Sequence, residues 1–110
     1  MSAVLGRTDE NMREPAGWMV GVDDRILELV NEFGNLTPRA IEKFGATSSS
    51  DHASRRAGKL VKAGLLYRID RGLYGITDEG VAYLEEELDA STLPHPDDVE
   101  ESPPNLVDES

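Results

Sequence analysis

A chain of 110 residues has room for one domain, and with 38% apolar residues it can build one small core. It carries 22 acidic and 11 basic side chains for a net charge of -11, with no cysteine and no apolar run near the roughly 20 residues that cross a bilayer. Disulfide scaffolds, thiolate metal sites and a membrane span are thereby excluded; with acidic residues where a signal peptide needs an apolar stretch none is expected, and the expectation is a soluble cytoplasmic protein with no metal and no cofactor.

Residues 1–17 show little periodicity and include Pro15 and Gly17, so a flexible arm is expected there. Trp18 and Met19 follow; a lone tryptophan just ahead of a helix reads as a cap over the core, and its other role would be a homodimer contact. Asp23 or Asp24 is placed to cap a first helix, whose Ile26, Leu27, Val30 and Phe33 form an apolar stripe ending at Gly34. Thr37-Pro38 pairs a capping hydroxyl with the proline favoured at the first helical position, and predicts a two-turn helix through Ala40, Ile41 and Phe44 to Gly45. Only Gly45, Ala46 and Thr47 separate it from a third helix, opened by the approximate capping box of Ser48 and Asp51 and closed by Gly64. Two helices joined by a tight glycine-containing turn are the helix-turn-helix signature.

Beyond Gly64, residues 65–69 and 73–76 are short β-branched or aromatic runs flanking Asp70-Arg71-Gly72, a hairpin with Arg71 at its apex. Thr77 caps a last helix, TDEGVAYLEEELDA, in which Val81, Leu84 and Leu88 share a face. From Ser91 on, prolines alternate with acids, and residues 91–110 read as a disordered acidic tail. The order of elements predicts an α+β winged helix-turn-helix domain over 18–90, with a three-helix core, a two-stranded wing and a C-terminal helix.

An acidic chain is a poor candidate for a nucleic-acid binder until its charges are placed. Between Arg39 and Arg71 there are eight basic and three acidic residues, whereas from Asp78 to the end there are twelve acids and no Lys or Arg. In the third helix Ala53, Ala57, Leu60 and Val61 fall on one side, and His52, Arg55, Lys59 and Lys62 on the other. His52, Arg55, Arg56 and Lys59 follow at i, i+3, i+4 and i+7 with no acid between them, so these donors are arrayed and not paired with one another's opposites. The expected site therefore binds double-stranded DNA: His52, Arg55, Arg56 and Lys59 on base edges, Ser49 and Ser50 with free amides on phosphate, and Arg68 and Arg71 on the wing. An exposed basic helix is most often only a solvated face, and here Arg55 and Arg56 could instead pair with nearby carboxylates.

WMVGVDDRILELV, LTPRAIEKF and SSDHASRRAGKLVKAGLLYRIDRGLYGITDEGVAYL together resemble the haloarchaeal winged-helix repressors of the phage phi H type, and more remotely the MarR-like and other archaeal winged-helix regulators. The pieces that carry the resemblance best are residues 52–56 in the third helix, 71–74 in the wing and 76–80 at the start of the last helix. It implies a DNA-binding transcriptional regulator from an archaeon with a salty cytosol, a repressor before an activator. The acid excess and the scarcity of lysine point the same way, since carboxylates hold water and cations where salt screens their repulsion. Ala53 and Ala57 stand where such helices usually place bulkier aliphatics, and Gly75 where the returning wing strand often has a charge. The rival reading is a winged helix used as a protein-interaction module, its acidic ends engaging a basic partner. An enzyme is not expected, because no nucleophile-base pair, metal cluster or phosphate loop is present in the sequence.

Overall fold

Helix α1 spans Gly21–Phe33, α2 Pro38–Lys43 and α3 Ser50–Ala63; strands β1 (Leu66–Asp70) and β2 (Leu73–Ile76) pair as an antiparallel hairpin, and α4 (Asp78–Leu84) follows. In the computed structural model, which describes residues 13–70 and 72–99, this is the α+β winged helix-turn-helix that the element order predicts. Leu36 adds a single rung to the sheet, exchanging both backbone hydrogen bonds with Tyr74. The rung ties the α1–α2 connection to the wing.

The core gathers Ile26, Leu27 and Val30 of α1, Ile41 of α2, Ala53, Ala57 and Leu60 of α3, Leu65, Leu66 and Tyr74 around the hairpin, and Tyr83 of α4. Ala53 and Ala57 are fully buried where α3 packs on α1 and α2. Their small side chains set how closely α3 approaches, and larger aliphatics there would overpack the contact. Gly75 has a similar explanation: a Cβ at this position would fall 2.5 Å from the ring of Tyr67, its partner in register across the hairpin.

The helix ends depart from expectation in small ways with clear causes. Neither Asp23 nor Asp24 is the N-cap of α1; that position is Val20, and Asp23 reaches back from the first turn so that its Oδ2 accepts from the Val20 N–H at 3.0 Å. Thr37 caps α2 as expected, its Oγ1 accepting from the Ala40 N–H. At α3 the cap is Ser49 and not Ser48, with Oγ accepting from the His52 N–H at 3.1 Å. Gly64 closes α3 at φ 92°, its N–H bonding the Val61 carbonyl while the Leu65 N–H bonds that of Leu60, a left-handed stop that glycine adopts without strain.

The last helix is much shorter than its sequence pattern. It ends at Leu84, and its buried residues are Gly80, Tyr83 and Leu84 in place of the Val81, Leu84 and Leu88 stripe. Three successive glutamates at a helix C-terminus oppose the macrodipole, and the chain turns out of the helix there. The Glu86 N–H bonds the Tyr83 carbonyl and the Glu87 N–H that of Ala82, which makes the same closing motif as at Gly64 but with Glu86 in the glycine position at φ 68°. A side chain in that conformation costs about 1 kcal/mol, so Glu86→Gly is expected to raise stability by up to about that amount, read as a higher urea midpoint at unchanged m-value.

The packed chain also runs past both expected domain edges. Arg13 sends Nη1 to Glu28 at 2.7 Å and to Asp24 at 3.4 Å, and Nε to the Leu84 carbonyl at 3.1 Å. Ala16 is buried, and the Ala90 N–H bonds the Glu14 carbonyl. Residues 91–99 carry two 3-10 turns, Ala90–Thr92 and Pro96–Asp98, with Ala90 and Pro96 buried and Leu93 against the core. These few apolar residues among the acids hold the segment down. The arm and tail expectations for 1–12 and 100–110 lie outside the described residues.

Trp18 packs half-buried on the core with its ring edge toward His95, 6.4 Å between centroids at 61°. Trp18, the residue expected either to cap the core or to meet a second copy in a homodimer, is thus partly buried against its own core, as are Met19 and Leu88. Among the described residues no helix is long and apolar enough to cross a membrane, and no group of His, Cys, Asp and Glu could hold a metal ion.

Candidate nucleic-acid interface

Thr47 and Ser49 build the start of α3. The Thr47 hydroxyl donates to the Ser49 carbonyl at 2.9 Å, and the Ser49 Oγ accepts from the His52 N–H, so its acceptor role is already filled by the helix. Ser50, the first residue of α3, is half-buried. Downstream, Asp51, Ser54, Arg55, Gly58, Lys59 and Lys62 line one shallow depression of about 460 Å³ along the outer side of the helix. Spacings of three and four residues put them on one face. His52 lies beside this face and receives the Arg55 guanidinium, Nη2 to Nδ1 at 3.4 Å.

Arg56 does not belong to the outward series. Its Nε donates to Asp23 Oδ1 at 2.9 Å, and its Nη2 to Asp23 Oδ2 at 2.6 Å and to the Trp18 carbonyl at 3.3 Å. The Arg56 side chain is only 15% exposed and that of Asp23 is 0% exposed. The spacing explains the difference: Arg56 lies three residues after Ala53 and four before Leu60, both fully buried, so it sits on the inner flank of α3 toward α1. The hydrogen bonds to Asp23 hold the guanidinium proton still more firmly than in water, against the opposing effect of burial. The Asp23–Arg56 pair thereby ties the start of α1 and the segment before it to α3.

Lys59 keeps its place on the face, but its Nζ lies 3.9 Å from Asp97 Oδ1 in the turn that leans on α3. Arg68 projects from β1 with its guanidinium 4.9 Å from the centroid of the Tyr74 ring and Nη1 donating to the Tyr74 hydroxyl at 2.7 Å. Its Nη2 stands 4.0 Å from the point where a side chain at Gly58 would begin. Gly58 thus leaves open ground between α3 and the wing, and Arg68 carries the cationic surface across it. Arg71 lies outside the described residues. Asp51, Ser54 and Asp97 are the functional-site groups that helical periodicity alone did not single out. The first two share the face, Asp51 four residues before Arg55 and Ser54 four before Gly58, spacings that could have found them.

This arrangement offers arginine, lysine and hydroxyl donors along one exposed helix with a wing at its side. The model of the winged helix-turn-helix phage repressor matches residues 12–97 of the chain. The crystal structure of a PhiH1 repressor-like protein from Haloarcula marismortui is similar at 40% identity with a TM-score of 0.71, over 76% of this chain and 96% of that one. No curated protein matches the chain.

Proposed function

The chain belongs to the family of winged helix-turn-helix phage repressors, a family of DNA-binding regulators and not of enzymes, and on that footing we propose that it represses transcription by binding a specific duplex sequence, with α3 in the major groove and the wing on flanking phosphates or the minor groove. The observation that supports this reading best is the continuity of the cationic surface: Arg55, Lys59 and Lys62 on α3 run past Gly58 to Arg68 on β1, in a protein whose net charge is -11. The major groove admits a helix and presents a distinct donor and acceptor pattern for each base pair. Selection of bound sequences from random duplex DNA at high potassium tests the proposal, and recovery of no preferred sequence would overturn it.

Two contact types follow from the geometry. Arg55 is exposed and on the outer face, so Arg55→Ala is expected to cost about 1–3 kcal/mol on the selected sequence and to relax preference at one base pair. Arg71, which the sequence sets between Asp70 and Gly72, is expected to grip phosphate; Arg71→Ala should weaken binding to all sequences alike and lower the salt slope by about one unit. Both are read by titration of labelled duplex, with Arg55→Ala compared at one fixed high salt concentration. If both variants bind as the native chain does, the basic face does not meet DNA, and the protein-interaction reading with a basic partner takes its place.

We also read the acid surplus as an adaptation to a salty cytosol. Screening shortens from about 30 Å at 0.01 M salt to about 3 Å at 1 M, so mutual repulsion of the carboxylates fades. The melting temperature is expected to climb with potassium chloride, and a flat dependence would remove this reading while leaving DNA binding intact.

A further inference from the structure

Asp51 is the one carboxylate among the residues that line the depression on α3, and it is exposed. A carboxylate on a surface that meets DNA is repelled by every phosphate, and the helix dipole at the first turn of α3, worth about 0.3–1 kcal/mol to an exposed acid, offsets that repulsion only in part. Within the protein the natural partner is Arg55, one turn along the helix. Arg55 instead leans on His52, and among the described residues Asp51 makes no hydrogen bond or ion pair. The capping oxygen at this end of α3 comes from Ser49, so Asp51 is not needed for that either.

We propose that Asp51 is a specificity-determining residue that accepts a hydrogen bond from the N4 amino group of a cytosine, in the base pair read by Arg55 or the one beside it. The assignment rests on the DNA-binding reading above. A carboxylate can only accept, and the major groove offers amino donors at cytosine N4 and adenine N6 alone. Adenine places its N7 acceptor beside that amino group, which repels a carboxylate; cytosine has a C–H there. Guanine and thymine present acceptors that Asp51 rejects, so the group discriminates by repulsion as well as by attraction. Guanine in turn offers O6 and N7 to the fork of Arg55. Side chains one helical turn apart begin about 5–6 Å from each other, within two base-pair steps of about 3.4 Å, so the two residues reach the same or neighbouring pairs.

The test uses the full chain, with native, Asp51→Ala and Asp51→Asn proteins each taken through selection on random duplex DNA at one high potassium concentration. The native protein should recover cytosine next to, or paired with, the guanine that Arg55→Ala loses. Asp51→Ala should bind that sequence roughly 5- to 150-fold more weakly and leave the cytosine position degenerate while the guanine position persists. Asp51→Asn should move the preference toward adenine, whose N6 and N7 an amide matches. If both variants keep the native sequence preference and only bind all duplexes more tightly, Asp51 is no more than a helix-end charge and the assignment is wrong, although DNA binding stands. If the native protein itself selects no sequence, the DNA reading fails and the assignment falls with it.

Discussion

Arg56→Ala is expected to destabilise the fold by about 3–5 kcal/mol, because it leaves the Asp23 carboxylate buried without its counter-charge. Asp23 is 0% exposed, and with Arg56 gone its two oxygens would retain only the Val20 N–H. Domains of this kind are held by about 5–15 kcal/mol in total, so a loss of that size removes much of the folded population's margin. Asp23→Ala should cost less, since the Arg56 guanidinium still has the Trp18 carbonyl and can swing toward water on its long stem. The double variant should cost less than the sum of the two, with a coupling energy of about 1–3 kcal/mol from urea unfolding of all four proteins. An Arg56→Ala protein with the native urea midpoint but no DNA affinity would reverse this assignment and return Arg56 to the outward face. Loss of DNA binding in that variant therefore speaks about the base contacts only after its stability has been measured.

The same pair marks where the sequence stops being readable. Periodicity located α1, α2, α3 and the hairpin because each buried stripe is local: Ile26, Leu27 and Val30, or Ala53, Ala57 and Leu60, repeat at helical spacing within one element. Arg56 bonds a residue 33 positions away, and nothing in an i, i+3, i+4, i+7 series tells whether a flank position faces solvent or a neighbouring helix. The sequence pattern for α4 failed for a different reason. Val81, Leu84 and Leu88 have the right spacing, but Glu85, Glu86 and Glu87 favour leaving the helix, and the phenol of Tyr83 finds Asp24 at 2.7 Å across the fold. Burial, first, and that hydrogen bond push the Tyr83 phenol well above its ordinary range. The acidic segment after Ala90 reads as disordered by composition, yet Leu93 and Pro96 suffice to seat it beside α3. Composition averages over such single anchors.

Gly80→Ala is expected to be at least as damaging to the fold, and for a reason that no periodic pattern carries. A Cβ at Gly80 would stand 2.3 Å from the Leu65 carbonyl oxygen and 2.6 Å from Ile76 Cγ1. The first of these is backbone, held by the closing turn of α3 and by the Thr77 N–H at 3.2 Å, so it has little freedom to yield. Thr77 tightens the same junction: its hydroxyl donates to the Gly64 carbonyl at 2.7 Å while its oxygen accepts from the Gly80 N–H at 2.9 Å. To admit a methyl group, α4 must lift from the end of α3, and it would take Tyr83 away from Asp24 as it moved. Overpacking ordinarily costs about 1–3 kcal/mol; with a fixed carbonyl as the obstacle the expected cost is about 3 kcal/mol or more. For a domain of this size that is a fall in melting temperature on the order of 10 °C or greater. Gly58→Ala is the control, since its Cβ would meet nothing closer than Arg68 Nη2 at 4.0 Å and α3 should gain up to about 1 kcal/mol from the better helix former. A Gly80→Ala protein that melts with the native chain would mean that α4 is not seated against the end of α3 as described, and the support it gives to the reading helix would have to come from elsewhere.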